Sequence, residues 1–210
     1  SCRVTMLWSL VWRRLTCRRT CERRQYSPPV CNVFSQQFTI LKETDQFKFT
    51  VDKAAQKQLP NIIDNNVQKI EGLKTADASF AKAYGKKRNI GIVFSGGPAP
   101  GGHNVIAGLY DAAKKANAES RVYGFLIGPD GIIENEALEL DDDLVDAYRN
   151  LGGFTMIKTG RTKIDTREKM ELSRETCRKL NLDALVIVGG DDSNTNAAFL
   201  AQEMFGDGIQ

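Results

Sequence analysis

The 210-residue sequence has no run approaching the roughly 20 consecutive apolar residues that a membrane-spanning helix needs, and no membrane partner is expected. It has a single histidine, His103, and its five cysteines crowd toward one end. Cys2, Cys17, Cys21 and Cys31 fall in the N-terminal segment, and only Cys177 lies in the body of the chain. That spread is not the even framework of a small disulfide-stapled secreted domain. Cys17-x3-Cys21 could open a zinc site, but Cys2 and Cys31 offer no paired second half and His103 lies elsewhere. Two phosphate signatures are absent as well. Neither the G-x-G-x-x-G of dinucleotide-binding folds nor the G-x-x-x-x-G-K-[ST] of P-loop enzymes occurs. Acidic residues are nearly missing from residues 1–37, which hold seven arginines and one acid, Glu22.

The net charge of +3 therefore belongs to the N-terminus, because the remaining residues hold 22 basic and 25 acidic side chains. An arginine-rich, acid-poor segment suits organellar targeting, but serine is scarce in its first half and Trp8 and Trp12 do not fit. A nucleic-acid arm would use arginine for phosphates and aromatics for stacking. We read residues 1–37 as a basic, disordered extension, since nothing in them can build a core, and expect no nucleic-acid partner. The chain as a whole is 41% apolar and 26% charged, enough for a core and a soluble surface.

Residues 38–87 read as a leader that packs on the edge of the main domain. Residues 38–41 suggest a short strand and residues 47–51 alternate weakly. After Pro60, the spacing of Ile62, Ile63, Val67 and Ile70 predicts a helix. The main domain is expected over 88–210. Residues 89–95 form a strand that runs into 96–102, followed by a helix over 104–118 with Val105, Leu109, Ala112 and Ala116 on its packed face. A second strand over 121–127 ends at Gly128. An acidic stretch over 134–146 leads into a short helix, residues 154–157 form a short extended piece, and a helix spans 166–180. The strand over 184–188 is rich in β-branched residues, and a helix follows over 193–204. Alternating strands and helices predict an α/β fold: a three-layer sandwich around a mostly parallel sheet, Rossmann-like and incomplete where the sequence stops.

Three segments carry chemistry. Ser95-Gly96-Gly97-Pro98-Ala99-Pro100-Gly101-Gly102 joins a strand to a helix. Its glycines can expose backbone N–H groups to an anion, and the helix N-terminus adds positive potential; the plain alternative is a tight turn with no ligand. Gly189-Gly190-Asp191-Asp192-Ser193 ends the last strand, with Ser193 placed to cap the next helix. One carboxylate there suits Mg²⁺, which takes one or two protein carboxylates with phosphate oxygens and waters. The alternative is that both acids only complement the helix dipole. Lys158-Thr159-Gly160-Arg161-Thr162-Lys163 groups three cations around a glycine, suited to phosphate through the planar guanidinium of Arg161, or alternatively forms a solvated basic loop. A diphosphate cradle, a metal acid and a basic clamp are the equipment of phosphoryl transfer.

The stretches S-G-G-P-A-P-G-G-H-N at 95–104, Gly152-Gly153 with Thr159-Gly160-Arg161, and G-G-D-D-S-N-T-N at 189–196 resemble the phosphofructokinase family. The last two, with the His103-Asn104 variant, are similar to its pyrophosphate-dependent branch. The resemblance covers about residues 88–205. It implies reversible transfer between pyrophosphate and fructose 6-phosphate, with Mg²⁺ as cofactor, in cytoplasmic glycolysis, by a homo- or hetero-oligomer. It implies that Gly96 binds diphosphate through its backbone N–H, with Gly97 and Ser193 beside it. By the same resemblance Asp191 is the Mg²⁺ ligand, and Arg161 contacts the transferring phosphoryl group. Asp192 stands where ATP-dependent relatives have glycine. A carboxylate there would lie about 4 Å from the α-phosphate of ATP and repel it by several kcal/mol in a partly desolvated site, leaving room for the smaller pyrophosphate. The T-I-D-G-D loop that supplies the family's base has no counterpart in these 210 residues, so the chain is expected to be an inactive fragment carrying the donor half. A non-catalytic regulatory subunit and an ATP-dependent sugar kinase are the alternatives.

Overall fold

The computed structural model describes residues 22–27, 29–44, 50–63 and 67–210. The readings for residues 1–21 and 45–49 lie outside it. Of the arginine-rich segment, the backbone carbonyls of Arg23 and Tyr26 accept hydrogen bonds from Asn150 Nδ2, at 2.8 and 3.0 Å.

The leader forms β1 (Phe38–Glu43), α1 (Lys53–Gln58), β2 (Gln68–Leu73) and α2 (Ala78–Tyr84). Strands β1 and β2 pair antiparallel, with Phe38 opposite Leu73 and Leu41 opposite Ile70. The helix predicted after Pro60 is replaced by β2, and residues 64–66 lie outside the described set. Cross-strand pairing with β1 overrides a helical spacing that only four residues carried. Asp52 and Asp77 cap α1 and α2 through hydrogen bonds from backbone N–H groups of the first turn. Phe38, Phe80 and Tyr84 form a small aromatic cluster. The leader meets the main domain where Asn61 N–H donates to Gln202 Oε1 and Asn117 Nδ2 donates to the Gly85 carbonyl, both at 2.9 Å.

The main domain runs β3 (Asn89–Phe94), α3 (Gly102–Ala116), β4 (Arg121–Phe125), α4 (Pro129–Ile133), β5 (Ala137–Glu139), α5 (Asp142–Tyr148), α6 (Arg167–Lys179), β6 (Ala184–Val188) and α7 (Asp191–Glu203). The sheet order is β5-β4-β3-β6, with β4, β3 and β6 parallel and β5 antiparallel at the edge. The backbone of Gln210 lies against the outer edge of β6, donating to the Asp183 carbonyl and accepting from Leu185 N–H.

The two-residue period of β3 divides the core. Ile90, Ile92 and Phe94 face a cluster with Ile106, Tyr110, Val122 and Val145, which α3 and α5 cover. Val93 faces the other side, where Phe125, Ile132, Cys177 and Leu200 come from β4, α4, α6 and α7, and Met204 from just past the end of α7. Two helical layers thus enclose one sheet, as the alternating pattern predicts. Among the described residues no helix is long and apolar enough to cross a membrane.

Three local expectations are corrected. Helix α3 begins at Gly102, and its buried face is His103, Ile106, Ala107, Tyr110 and Ala113, while Val105 is exposed. Small alanines let that face approach the sheet, and Tyr110 Oη, at 2.9 Å from Asp142 Oδ1, fixes the helix against α5. Residues 154–157 are a turn and not an extended piece. Helix α7 begins at Asp191, so Ser193 lies inside its first turn and the N-cap is Gly190, which makes no side-chain cap.

The segment after α7 is fastened by Asp207, whose carboxylate accepts from Arg174 Nε at 2.5 Å and Arg178 Nη2 at 3.0 Å. These donors hold its pKa down, from 3.8 to about 2, against the opposing effect of burial. A depressed carboxylate contributes stability that is full above about pH 4 and lost as pH falls through 2. Asp207→Asn should lower the chemical-denaturation midpoint at pH 7 and reduce the loss of midpoint between pH 4 and pH 2, measured by circular dichroism.

Candidate functional site

The carboxyl ends of parallel strands share one edge of a sheet, and the three motif segments meet there. Ser95 N–H donates to the Val188 carbonyl at 2.8 Å, and Gly96 N–H donates to the Gly160 carbonyl at 2.7 Å. The second bond belongs to a parallel bridge between Ser95 and Gly160. Gly96 adopts φ +102°, a conformation in which any other residue is strained. Gly189 is required for space, since a Cβ there would stand 2.5 Å from Ser193 Oγ and the Ser95 carbonyl.

Gly96, Ser95, Arg161, Thr162, Lys163, Asp192, Ser193 and Asn196 line a cavity of about 150 Å³. Arg161 leans over the glycine loop, its Nη2 3.1 Å from where a Cβ on Gly97 would sit. Thr159 Oγ1 lies 2.9 Å from the Gly96 carbonyl and 3.1 Å from that of Phe94. Thr162 Oγ1 donates to Asp130 Oδ2 at 2.8 Å. The basic segment is therefore fastened at Thr159, Gly160 and Thr162, leaving Arg161 and Lys163 to face the cavity. Lys158 stands outside the lining with φ +61°.

Several donors that the sequence offered to an anion are used inside the protein. The Gly96 N–H is spent on Gly160. The N–H groups of Gly101 and His103, at the start of α3, donate to the carbonyls of Gly152 and Gly153, both at 2.8 Å. Ser193 Oγ neither caps α7 nor stands free, lying 2.9 Å from Ser95 Oγ and 3.2 Å from the Ser95 carbonyl. The helix N-terminus that opens on the cavity is that of the 13-residue α7, whose first turn lacks a side-chain cap and carries Asp191 and Asp192. Asp192 lines the cavity, whereas Asp191, also exposed, lies one residue outside its lining. No group of three or more His, Cys, Asp or Glu residues that could hold a metal occurs among the described residues.

His103, Thr159, Asp130 and Asn196 carry parts that sequence reasoning did not assign. Their roles rest on long-range contacts. His103, Thr159 and Asn196 stand within the motif segments, whereas Asp130 stands outside them. His103 is 1% exposed. Gly153 N–H approaches its Nδ1 at 3.2 Å, and Met156 N–H approaches its Nε2 at 3.1 Å. A neutral imidazole has one lone-pair nitrogen and can match one of these donors, while a protonated ring matches neither. Burial first, and the Arg23 charge second, push its pKa below 6.5.

A model of the phosphofructokinase family matches residues 89–209, and the chain belongs to that family. Among relatives, it is 45% identical over 170 residues to the pyrophosphate–fructose 6-phosphate 1-phosphotransferase of Porphyromonas gingivalis, covering 70% of this chain and 31% of that protein. It is 39% identical over 181 residues to subunit beta 2 of the corresponding Arabidopsis thaliana enzyme, covering 86% and 31%. The chain thus spans about a third of the length of these relatives. Among solved structures, the pyrophosphate-dependent phosphofructokinase of Nitrosospira multiformis superposes with a TM-score of 0.52 at 22% identity, over 59% of this chain and 32% of that one. That likeness concerns the fold.

Because the folded state disfavours protonated His103, its contribution to stability is full above about pH 6.5 and declines as pH falls below that value. No other histidine contributes, since His103 is the only one. The denaturation midpoint should fall between pH 7.5 and pH 5.5, and His103→Asn should flatten that slope. His103→Ala should cost about 2 kcal/mol or more by leaving a buried N–H unmatched.

Proposed function

We propose that the protein carrying this chain transfers a phosphoryl group reversibly between pyrophosphate and fructose 6-phosphate, as a cytoplasmic, glycolytic enzyme of the pyrophosphate-dependent branch. The observation that carries the reading is the convergence of Gly96, Arg161, Lys163 and Asp192 on one small cavity at the carboxyl edge of the sheet. The activities named for relatives at 39–45% identity support it. The beta-subunit name of the Arabidopsis relative supports an assembly of more than one subunit.

In this reading the cavity takes the diphosphate. Arg161 and Lys163 neutralise its oxygens, and the uncapped first turn of α7 adds its dipole. The contribution of the Gly96 and Gly97 segment is shape, because the Gly96 N–H already serves Gly160 and a side chain at Gly97 would displace Arg161. Ser193 acts through Ser95, to which it is bonded. Asp191 and Asp192 suit Mg²⁺ as donors: they form no closed cage, and Mg²⁺ completes its shell with phosphate oxygens and water. Asp191 would hold the ion, which supplies charge neutralisation to the bound diphosphate. Asp192, inside the cavity, sets donor choice by its bulk and charge.

The T-I-D-G-D loop expected to supply the family's base has no counterpart in these 210 residues, and we propose that the chain alone has no turnover. Incubating it with pyrophosphate, Mg²⁺ and fructose 6-phosphate should yield no fructose 1,6-bisphosphate; clear product would refute this. In the complete enzyme, Asp192→Gly should raise kcat/KM for ATP at least about tenfold, given a repulsion of several kcal/mol relieved. An unchanged ATP rate would count against the selectivity role.

A further inference from the structure

The residues lining the cavity differ in whether their side chains already have partners. Ser95 and Ser193 are bonded to each other, and Thr162 is spent on Asp130. The polar run that opens α7 shows the same contrast. Asn194 Nδ2 donates to the Gly190 carbonyl at 2.8 Å, and Thr195 Oγ1 donates to that of Asp191 at 3.1 Å. Among the uncharged side chains Asn196 is the exception: half-buried, it lines the cavity, and its amide has no hydrogen-bond partner among the described residues.

Asn196 lies four residues after Asp192 on α7, which places both on one face of the helix, a turn apart. A carboxamide offers two N–H donors without a charge. The lack of charge matters here. A lysine or arginine at that spacing would pair with Asp192 along the helix and neutralise the carboxylate. Asparagine provides donors to an anion while leaving the charge of Asp192 intact. A half-buried amide with no partner in the protein also gains most from a ligand acceptor.

We propose that Asn196 is a diphosphate-contacting residue, its Nδ2 donating to a terminal oxygen of the ligand in the cavity that Arg161, Lys163 and Asp192 share. The proposal rests on the reading of that cavity as the diphosphate site. Hydrogen bonds to charged groups are worth about 1.5–3 kcal/mol, so losing this one should weaken binding about tenfold or more.

The test is calorimetric titration of the full chain with pyrophosphate in the presence of Mg²⁺, for the unaltered protein, Asn196→Ala and Asn196→Leu. Leucine keeps the volume and removes the donor; alanine removes both. Thermal midpoints identify any variant that fails to fold. The expected result is binding by the unaltered protein and a similar loss, about tenfold or more, in both variants. If the unaltered protein binds and Asn196→Ala matches it, Asn196 is not a contact, although the cavity reading stands. If the unaltered protein binds no pyrophosphate, the cavity reading itself falls and the role of Asn196 falls with it.

Discussion

Two backbone hydrogen bonds at the end of β3, from Ser95 N–H to the Val188 carbonyl and from Gly96 N–H to the Gly160 carbonyl, join three segments far apart in sequence. Each is worth only about 1 kcal/mol net. Their importance is geometric. The first sets β6 in register beside β3, so that α7 begins next to the glycine turn. The second holds the basic segment on the opposite side of the same turn. With the turn held on both sides, Asp192 and Arg161 have to share a cavity. The close approach at Gly189, where no side chain fits, and the Ser193–Ser95 contact tighten the same junction.

The constraint extends outward through residues that do not line the cavity. His103 sits at the start of α3 under the turn at 154–157, and Phe154 packs on Phe94 with ring centroids 4.1 Å apart and planes tilted by 32°. The chain then passes Ile157, whose carbonyl accepts from Ile127 N–H, before reaching Thr159 and the bridge at Gly160. Asp130, on the short helix α4, anchors the far end through Thr162. The position of Arg161 therefore depends on α3, β3 and α4 together. A single buried imidazole that resists protonation contributes to it from one side of the sheet.

Much of this architecture was legible in the sequence. The β-branched run at 184–188 and the segment at 89–94 are strands because their apolar content suits a sheet packed on both sides. Glycine-rich ends mark their carboxyl termini. The helix expected over 166–180 is α6, with Thr166 as its N-cap, its Oγ1 accepting from Lys169 N–H. The face of α3 was misplaced because alanines occur on several sides of the helix, and the tie from Tyr110 to Asp142 decides between them. The strand β2 was hidden because its exposed Ile70 pairs with a distant Leu41. The three motif segments picked out in the sequence meet in the structure, yet sequence could not show which groups are consumed in holding them together. Glycine loops and helix termini were read as anion donors by type. Whether a given N–H is free depends on a carbonyl elsewhere, here those of Gly160, Gly152 and Gly153.

That redistribution alters the electrostatics of the site. With the Gly96 N–H and the start of α3 already used, positive potential in the cavity comes from Arg161, Lys163 and the first turn of α7. That first turn also holds Asp191 and Asp192, which its dipole stabilises. On the proposed reading, a diphosphate entering the cavity would compete with two carboxylates for one positive field. A divalent cation held by Asp191, on that reading, would relieve the conflict by supplying positive charge. On the same reading the crowding would limit the donor: a small diphosphate would lie between Asp192 and the cations, whereas a longer polyphosphate carrying a nucleoside would have to bring a further phosphate past that carboxylate, where repulsion at short range would outweigh what two exposed cations return.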